Sequence, residues 1–277
     1  MPPILLGDLQ LQLDRLLIAL LQEIDPADWQ RPTVAGSWTV KDVVAHLLDG
    51  SVRSLSMLRD GHFSKEKPGS GAYADLVRYL NQLNLGWVKA TQRLSPQILL
   101  ELTEQYAVEY ANFLANSAPF DPAPFSVAWA GESESFNWFH IAREYTERWH
   151  HQQQIRLALG QDGESPILTP PFYLPYLETS FRALPHHYRN ILAENSCIQF
   201  SVEGLNANWF LSIAEQQEWR LSKSYDTEAD CQVLIPSTIA WRIFSKAISK
   251  ADAEQKVIIN GNQKLGIPIF NMVAVMA

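Results

Sequence analysis

The spacing of the apolar residues changes once along this chain, at "GQDGESPILTPP" (160–171). Before that stretch, apolar positions recur every three to four residues, as on one face of a helix; after it they fall into short runs bounded by turn residues, as in strands. One layer of packing does not serve both patterns. The chain is therefore expected to build a helical unit over residues 1–162 and a smaller α+β unit over 163–277. Its length agrees, because 277 residues is near the size at which a single core stops growing. Hydrophobic residues at 47% against 19% charged residues give enough apolar mass for two cores and argue against a disordered chain.

In the first unit Leu9, Leu13, Leu16, Leu17, Leu20, Leu21 and Ile24 share helical spacing, and Pro26 in "DPADW" disfavours continuation beyond them. The second helix is announced by "GSWTVKD": Thr39 is a good N-cap, and Asp42 three residues later completes a capping box. Val40, Val43, Val44, Leu47 and Leu48 then form one apolar stripe. Helical patterns follow over 73–94 and 97–117, the prolines of "SAPFDPAPF" (117–125) interrupt, and a last long helix covers 135–159, closed by Gly160. These segments predict a helix bundle with four principal helices.

The second unit opens with a helix over 172–184. The runs "CIQFSV" (197–202), "NWFLSI" (208–213), "EWRLS" (218–222) and "CQVLI" (231–235) predict an antiparallel sheet. An amphipathic helix at 237–249, a strand at 256–261 and a terminal helix complete it.

Charge narrows the partners. A net charge of −8, a pI near 5.4 and the lack of any Lys/Arg block argue against nucleic acid and against an anionic membrane surface. Two cysteines, Cys197 and Cys231, are too few for a disulfide framework and fit a reducing cytoplasm. The apolar run Leu16–Leu21 is short and flanked by Asp14, Arg15, Gln22 and Glu23, which reads as a soluble helix and not as a signal peptide or membrane span. The expectation is a cytoplasmic monomer or homodimer acting on a small molecule.

The chemistry concentrates in "EYTERWHHQQQIR" (144–156). At about 100° per residue, His140, Glu144, Glu147, His151, Ile155 and Ala158 share one face, so ionisable groups occupy a seam that should meet other helices. His150 points about 100° away from His151, so the histidine doublet contributes one residue to this row. Glu147 and His151, at i and i+4, are close enough to grip one ion. A metal site needs a third ligand from another helix, and His46, just off the stripe of the second helix with Gly50 one turn on, is the natural source. His62 lies in a Gly/Lys/Ser loop, and His186 and His187 follow a proline in the second unit. A solvated Glu/His contact is the bland alternative; it weakens because burying charge unpaired costs several kcal/mol.

Two stretches carry a family resemblance. "DWQRPTVAGSWTVKDVVAHLLDG" (28–50) resembles the second-helix motif of the DinB-like bundles, in the branch containing mycothiol-dependent maleylpyruvate isomerases, and "EYTERWHHQQQIRLALG" (144–160) is similar to the last-helix motif of that branch. The resemblance implies that His46, Glu147 and His151 bind a divalent metal. It extends to the second unit, where "TIAWRIFSKAIS" and "VIINGNQKLGIPIFNMVAVMA" resemble the sterol-carrier-like domain of the same proteins. Zinc suits two imidazoles and a carboxylate best, with nickel and iron as alternatives. The implied chemistry is a metal that activates a low-molecular-weight thiol, which adds to an electrophile and isomerises or conjugates it. Related chains carry an arginine near the end of the "WRIFSK" helix; where such a group would bind a substrate carboxylate, Arg242 or Lys246 must serve here. His140 and Glu144 are candidates for supporting the ligands or handling protons. A metal-dependent hydrolase and a non-catalytic ligand-binding protein remain as other uses of the same site.

Overall fold

In the computed structural model, which describes residues 1–65, 69, 73–125, 134–213 and 218–272, the helical spacing of the first region becomes α1 (Leu9–Glu23), α2 (Val40–Ser54), α3 (Tyr73–Thr91), α4 (Pro96–Ala115) and α5 (Asn137–Ala158). The starts follow from local chemistry. The Thr39 side chain accepts from the Asp42 amide while the Asp42 carboxylate accepts from the Thr39 amide, so two of the free donors at the head of α2 are satisfied. Ser95 accepts from the Ile98 amide at the head of α4, with Pro96 in the first turn where its missing N–H costs nothing. The end of α2 is less regular: it runs directly into a π-helical turn, Leu55–Arg59.

The apolar stripes meet as their spacing requires. Leu17 and Leu21 of α1, Val40, Val44 and Leu47 of α2, Leu99 of α4 and Ile155 of α5 are buried in one cluster. α3 packs on α2, where the Trp87 indole N–H donates to the Ala45 carbonyl at 2.9 Å. Among the described residues no helix is long and apolar enough to cross a membrane.

The second region contains α6 (Pro170–Phe181), α7 (Leu184–Tyr188), β1 (Ser196–Val202), β2 (Asn208–Ile213), β3 (Trp219–Ser222), β4 (Cys231–Ile235), α8 (Ser237–Phe244), α9 (Lys250–Glu254), β5 (Ile258–Gly261) and α10 (Gln263–Gly266), followed by a 3-10 turn. The helix expected over 237–249 stops at Phe244, because Lys246 adopts a left-handed backbone (φ 56°) that no helix continues through. The sheet order is β3-β2-β1-β4-β5. Three of its pairings are antiparallel, as expected from the short strands and turns. The fourth is not: β4 lies parallel to β1, with Phe200 opposite Val233. The sheet is therefore mixed. Two successive hairpins extend from one edge of β1, and the long return from β3 brings β4 to its other edge running the same way, a geometry a tight turn cannot make. At the end of β5 only glycine fits, since a Cβ on Gly261 (φ 86°) would lie 2.3 Å from the Asp230 carbonyl oxygen.

The two regions share a core. The face of α5 turned from α2 carries Tyr145 and Trp149, and Trp149 stacks on Tyr173 (centroids 4.8 Å) and Tyr176 (4.1 Å) of α6. The far end of α6 enters the α+β region through Phe181, whose ring meets Trp209 at 4.3 Å, Phe244 at 5.1 Å and Phe200 at 5.8 Å. Such rings bury large apolar areas, and α6 holds α5 on one side and the sheet on the other. Phe181→Ala is expected to lower the unfolding free energy by about 3–5 kcal/mol, read in urea as a lower midpoint with unchanged slope.

Candidate metal centre

α5 is buried on nearly every side although its sequence is polar: of residues 148 to 156, all are buried. Each buried polar group therefore needs a partner, and those partners define the site. On the side facing α1, Arg148 donates to Asp14 at 3.1 Å and to Ser51 at 2.5 Å. Gln152 is satisfied with its amide nitrogen on the Leu13 carbonyl at 3.1 Å and its oxygen on Arg156 at 2.9 Å. α2 and α5 meet through these groups: Ser51 takes Arg148, and five residues earlier on α2 His46 meets Glu147.

His46, Glu147 and His151 come together as the wheel places them. Glu147 Oε1 lies 2.9 Å from His46 Nε2 and 3.2 Å from His151 Nε2. The two imidazoles meet edge to face at 4.9 Å, and Trp38, just ahead of α2, packs its ring 5.0 Å from His46 and 6.4 Å from His151. One donor atom from each of the three residues lies within 4.8 Å of the others, a spacing that suits a single cation. Both imidazoles are buried, while Glu147 keeps 24% of its side chain exposed, so the cluster has an open side. A Cβ at Gly50 would meet nothing within 4 Å; the glycine leaves space and does not serve a close approach.

The chemistry of these donors fits a metal. His151 Nδ1 lies 2.8 Å from the amide oxygen of Gln154, which can only accept, so Nδ1 carries the proton and Nε2 turns a lone pair toward Glu147. Two acceptors at 3.2 Å need a proton or a cation between them. Burial opposes charge on Glu147, but His151 and His46, aided by His150, outweigh it and hold the carboxyl well below its ordinary range. The site is thus a carboxylate between imidazoles.

The other sequence candidates are placed differently. His150, off the ligand row, is buried: its ring lies 4.2 Å from that of His151, its Nδ1 donates to the Thr146 carbonyl at 2.9 Å, and its Nε2 is 3.8 Å from Glu147 Oε2. Burial and the neighbouring His151 push it down to about 4, so it is a neutral imidazole at physiological pH. Glu144 accepts from the Tyr110 hydroxyl at 2.9 Å. His140, two turns before Glu147, borders a cleft of about 220 Å³ with Leu58, Phe113 and Ile141, and burial lowers its pKa. Arg242 forms a close ion pair with Asp162 in the segment after α5, and Lys246 is exposed beyond α8. His62 is exposed, and His187 is held at 2.8 Å by the Pro268 carbonyl.

A helical region presenting two imidazoles and a carboxylate, followed by an α+β region with a five-stranded sheet, is a recognisable class. Residues 11–156, more than half of the chain, match the mycothiol maleylpyruvate isomerase N-terminal domain family, and the chain belongs to that family. Residues 185–272 match the SCP-2 sterol transfer family. Among solved structures, the mycothiol-dependent maleylpyruvate isomerase is 13% identical, covers 94% of this chain and 93% of its own, and superposes with a TM-score of 0.50. A histidine-to-alanine mutant of that enzyme gives 12% identity, the same coverage and a TM-score of 0.50. At this identity the likeness speaks to the fold. No curated protein matches the chain.

Asp14 generates a prediction. Burial raises its carboxyl from 3.8 to about 6 against the pull of Arg148. A raised carboxyl pKa favours the protonated folded state, so its contribution to stability is full below 3.8 and lost as pH rises through about 6. Asp14→Asn should therefore gain stability relative to wild type as pH increases across that window, measured as the difference between paired urea-unfolding curves at each pH.

Proposed function

We propose that His46, Glu147 and His151 hold one divalent cation, and that the protein uses this centre to present a small thiol to an electrophilic small molecule, as an isomerase of the maleylpyruvate isomerase type. The convergence of both Nε2 atoms on a single Glu147 oxygen carries the reading. Zinc suits the donor set best; nickel and iron accept the same donors. A bound divalent ion would supply Lewis acidity, lowering the pKa of a coordinated thiol.

The residues of the chain do the rest. Gln154 fixes the orientation and proton position of His151, leaving Nε2 free to ligate. Trp38 covers both imidazoles and limits water on that side, while the exposed edge of Glu147 marks the approach for ligands. The two cysteines are poor sources of the nucleophile: both are buried in the sheet, and burial, with Asp230 adding to it, pushes their thiols up to about 11. An external thiol fits better. Its sulfur would add to a cis double bond conjugated to a carbonyl; the bond so reduced to single order rotates, and elimination of the thiol restores it as trans. Thiol and substrate are each returned whole, so no oxidant is required.

Arg242 is engaged by Asp162, so a substrate carboxylate would have to displace that partner or find another cation. The mycothiol named for the related enzyme is the first thiol to test. Purified protein should carry about one divalent metal per chain and isomerise maleylpyruvate only with a thiol added. His151→Ala should bind metal at least about 100-fold more weakly, beyond the 10–100-fold typical of losing a supporting residue. Unchanged metal content in that variant would remove the site, and full metal content with no thiol-dependent turnover would remove the isomerase.

A further inference from the structure

Each imidazole of the triad has an oxygen-bearing side chain three residues ahead of it on its own helix. For His151 that residue is Gln154, whose amide oxygen holds Nδ1 at 2.8 Å. For His46 it is Asp49. Residues three apart on a helix are neighbours on its surface, and both of these are buried, His46 at 8% and Asp49 at 6% exposure. His46 Nδ1 and Asp49 Oδ2 are both buried without a hydrogen-bond partner among the described residues. A buried donor or acceptor left without a partner is destabilising, and these two lie one turn apart. Arg53 Nη1 stands 3.5 Å from the same Asp49 oxygen, close enough for an ion pair and too poorly placed for a hydrogen bond. Burial raises the Asp49 carboxyl, against the pull of Arg53 and then of His46.

We propose that Asp49 is the positioning residue for His46: its carboxylate, which does not reach Nδ1 in this structure, turns by a side-chain rotation to accept from Nδ1–H when a cation is bound, and so keeps Nε2 as the nitrogen turned toward Glu147. The proposal rests on the metal-binding reading of the triad. It makes the two imidazoles equivalent in design, each locked through its outer nitrogen by a group three residues on. It also explains an acidic residue on a buried face of α2, where an apolar one would pack at no electrostatic cost. Arg53, one turn further, then compensates the charge of Asp49.

The test uses the full chain with zinc or cobalt alone as the probe. Zinc affinity, measured by competition with a chromophoric chelator, should fall 10- to 100-fold in Asp49→Ala and be largely recovered in Asp49→Asn, which keeps an accepting oxygen. The metal-free Asp49→Ala protein should be no less stable than wild type in urea, since it loses a buried oxygen that lacks a hydrogen bond. Cobalt-loaded wild type should show two slowly exchanging, metal-shifted imidazole N–H resonances, one from each histidine, and Asp49→Ala only one. Undiminished zinc affinity in Asp49→Ala, with both resonances kept, would overturn the role of Asp49 while leaving the triad intact. A wild type that binds neither metal would overturn the triad, and this proposal with it. Should Asp49→Ala fail to fold, the wild-type spectrum decides: a His46 N–H that exchanges as fast as free imidazole contradicts the assignment.

Discussion

The structure depends on a helix that is both polar and buried. α5 lies between α1 and α2 on one side and α6 on the other, and its arginines, histidines and glutamines have almost no water to turn to. Burying such groups without partners would cost several kcal/mol each, so the sequence of α5 selects its neighbours. Arg148 requires Asp14 and Ser51, Gln152 requires the Leu13 carbonyl, and Gln153 donates to the Asp162 carbonyl at 2.8 Å. Once these are satisfied, the register of α5 against α1 and α2 has little freedom, and Glu147 is carried to His46.

The two sides of α5 do different work. One is aromatic and joins the regions through Trp149, Tyr173 and Tyr176, with Tyr145 donating to the Phe172 carbonyl at 2.7 Å. The other is ionisable and forms the triad. A rigid aromatic backing is what a metal site needs, because ligands must be held close to their working geometry before an ion arrives. Arg242 extends the same logic, tying the α+β region to the end of α5 through Asp162.

Much of this was legible in the sequence for physical reasons. The capping box at Thr39 and Asp42 and the stripe from Val40 to Leu48 are local signals, and α2 formed where they indicated. The row from His140 to His151 was visible because helical geometry is regular enough to say which side chains share a face. Less legible was anything set by a distant partner. The parallel pairing of β1 and β4 depends on a return across the sheet that alternation alone does not encode. His150 points about 100° round the helix from His151, yet its buried ring lies against that of His151 at 4.2 Å, a contact that the wheel does not show. Glu144 sits on the row, but Tyr110, contributed by α4, claims it. Gln154 carried a signal that could have been used, an amide three residues after a ligand candidate, hidden within a run of glutamines.

The central claim is that His46, Glu147 and His151 form an open cation site that accepts a thiol. X-ray absorption at the metal edge of the loaded protein addresses it directly. The account predicts two imidazole nitrogens and a carboxylate oxygen at about 2.0–2.2 Å, with a sulfur neighbour at about 2.3 Å appearing when the thiol is added. A shell lacking imidazole scattering, or one closed by four protein ligands that no thiol enters, would contradict it.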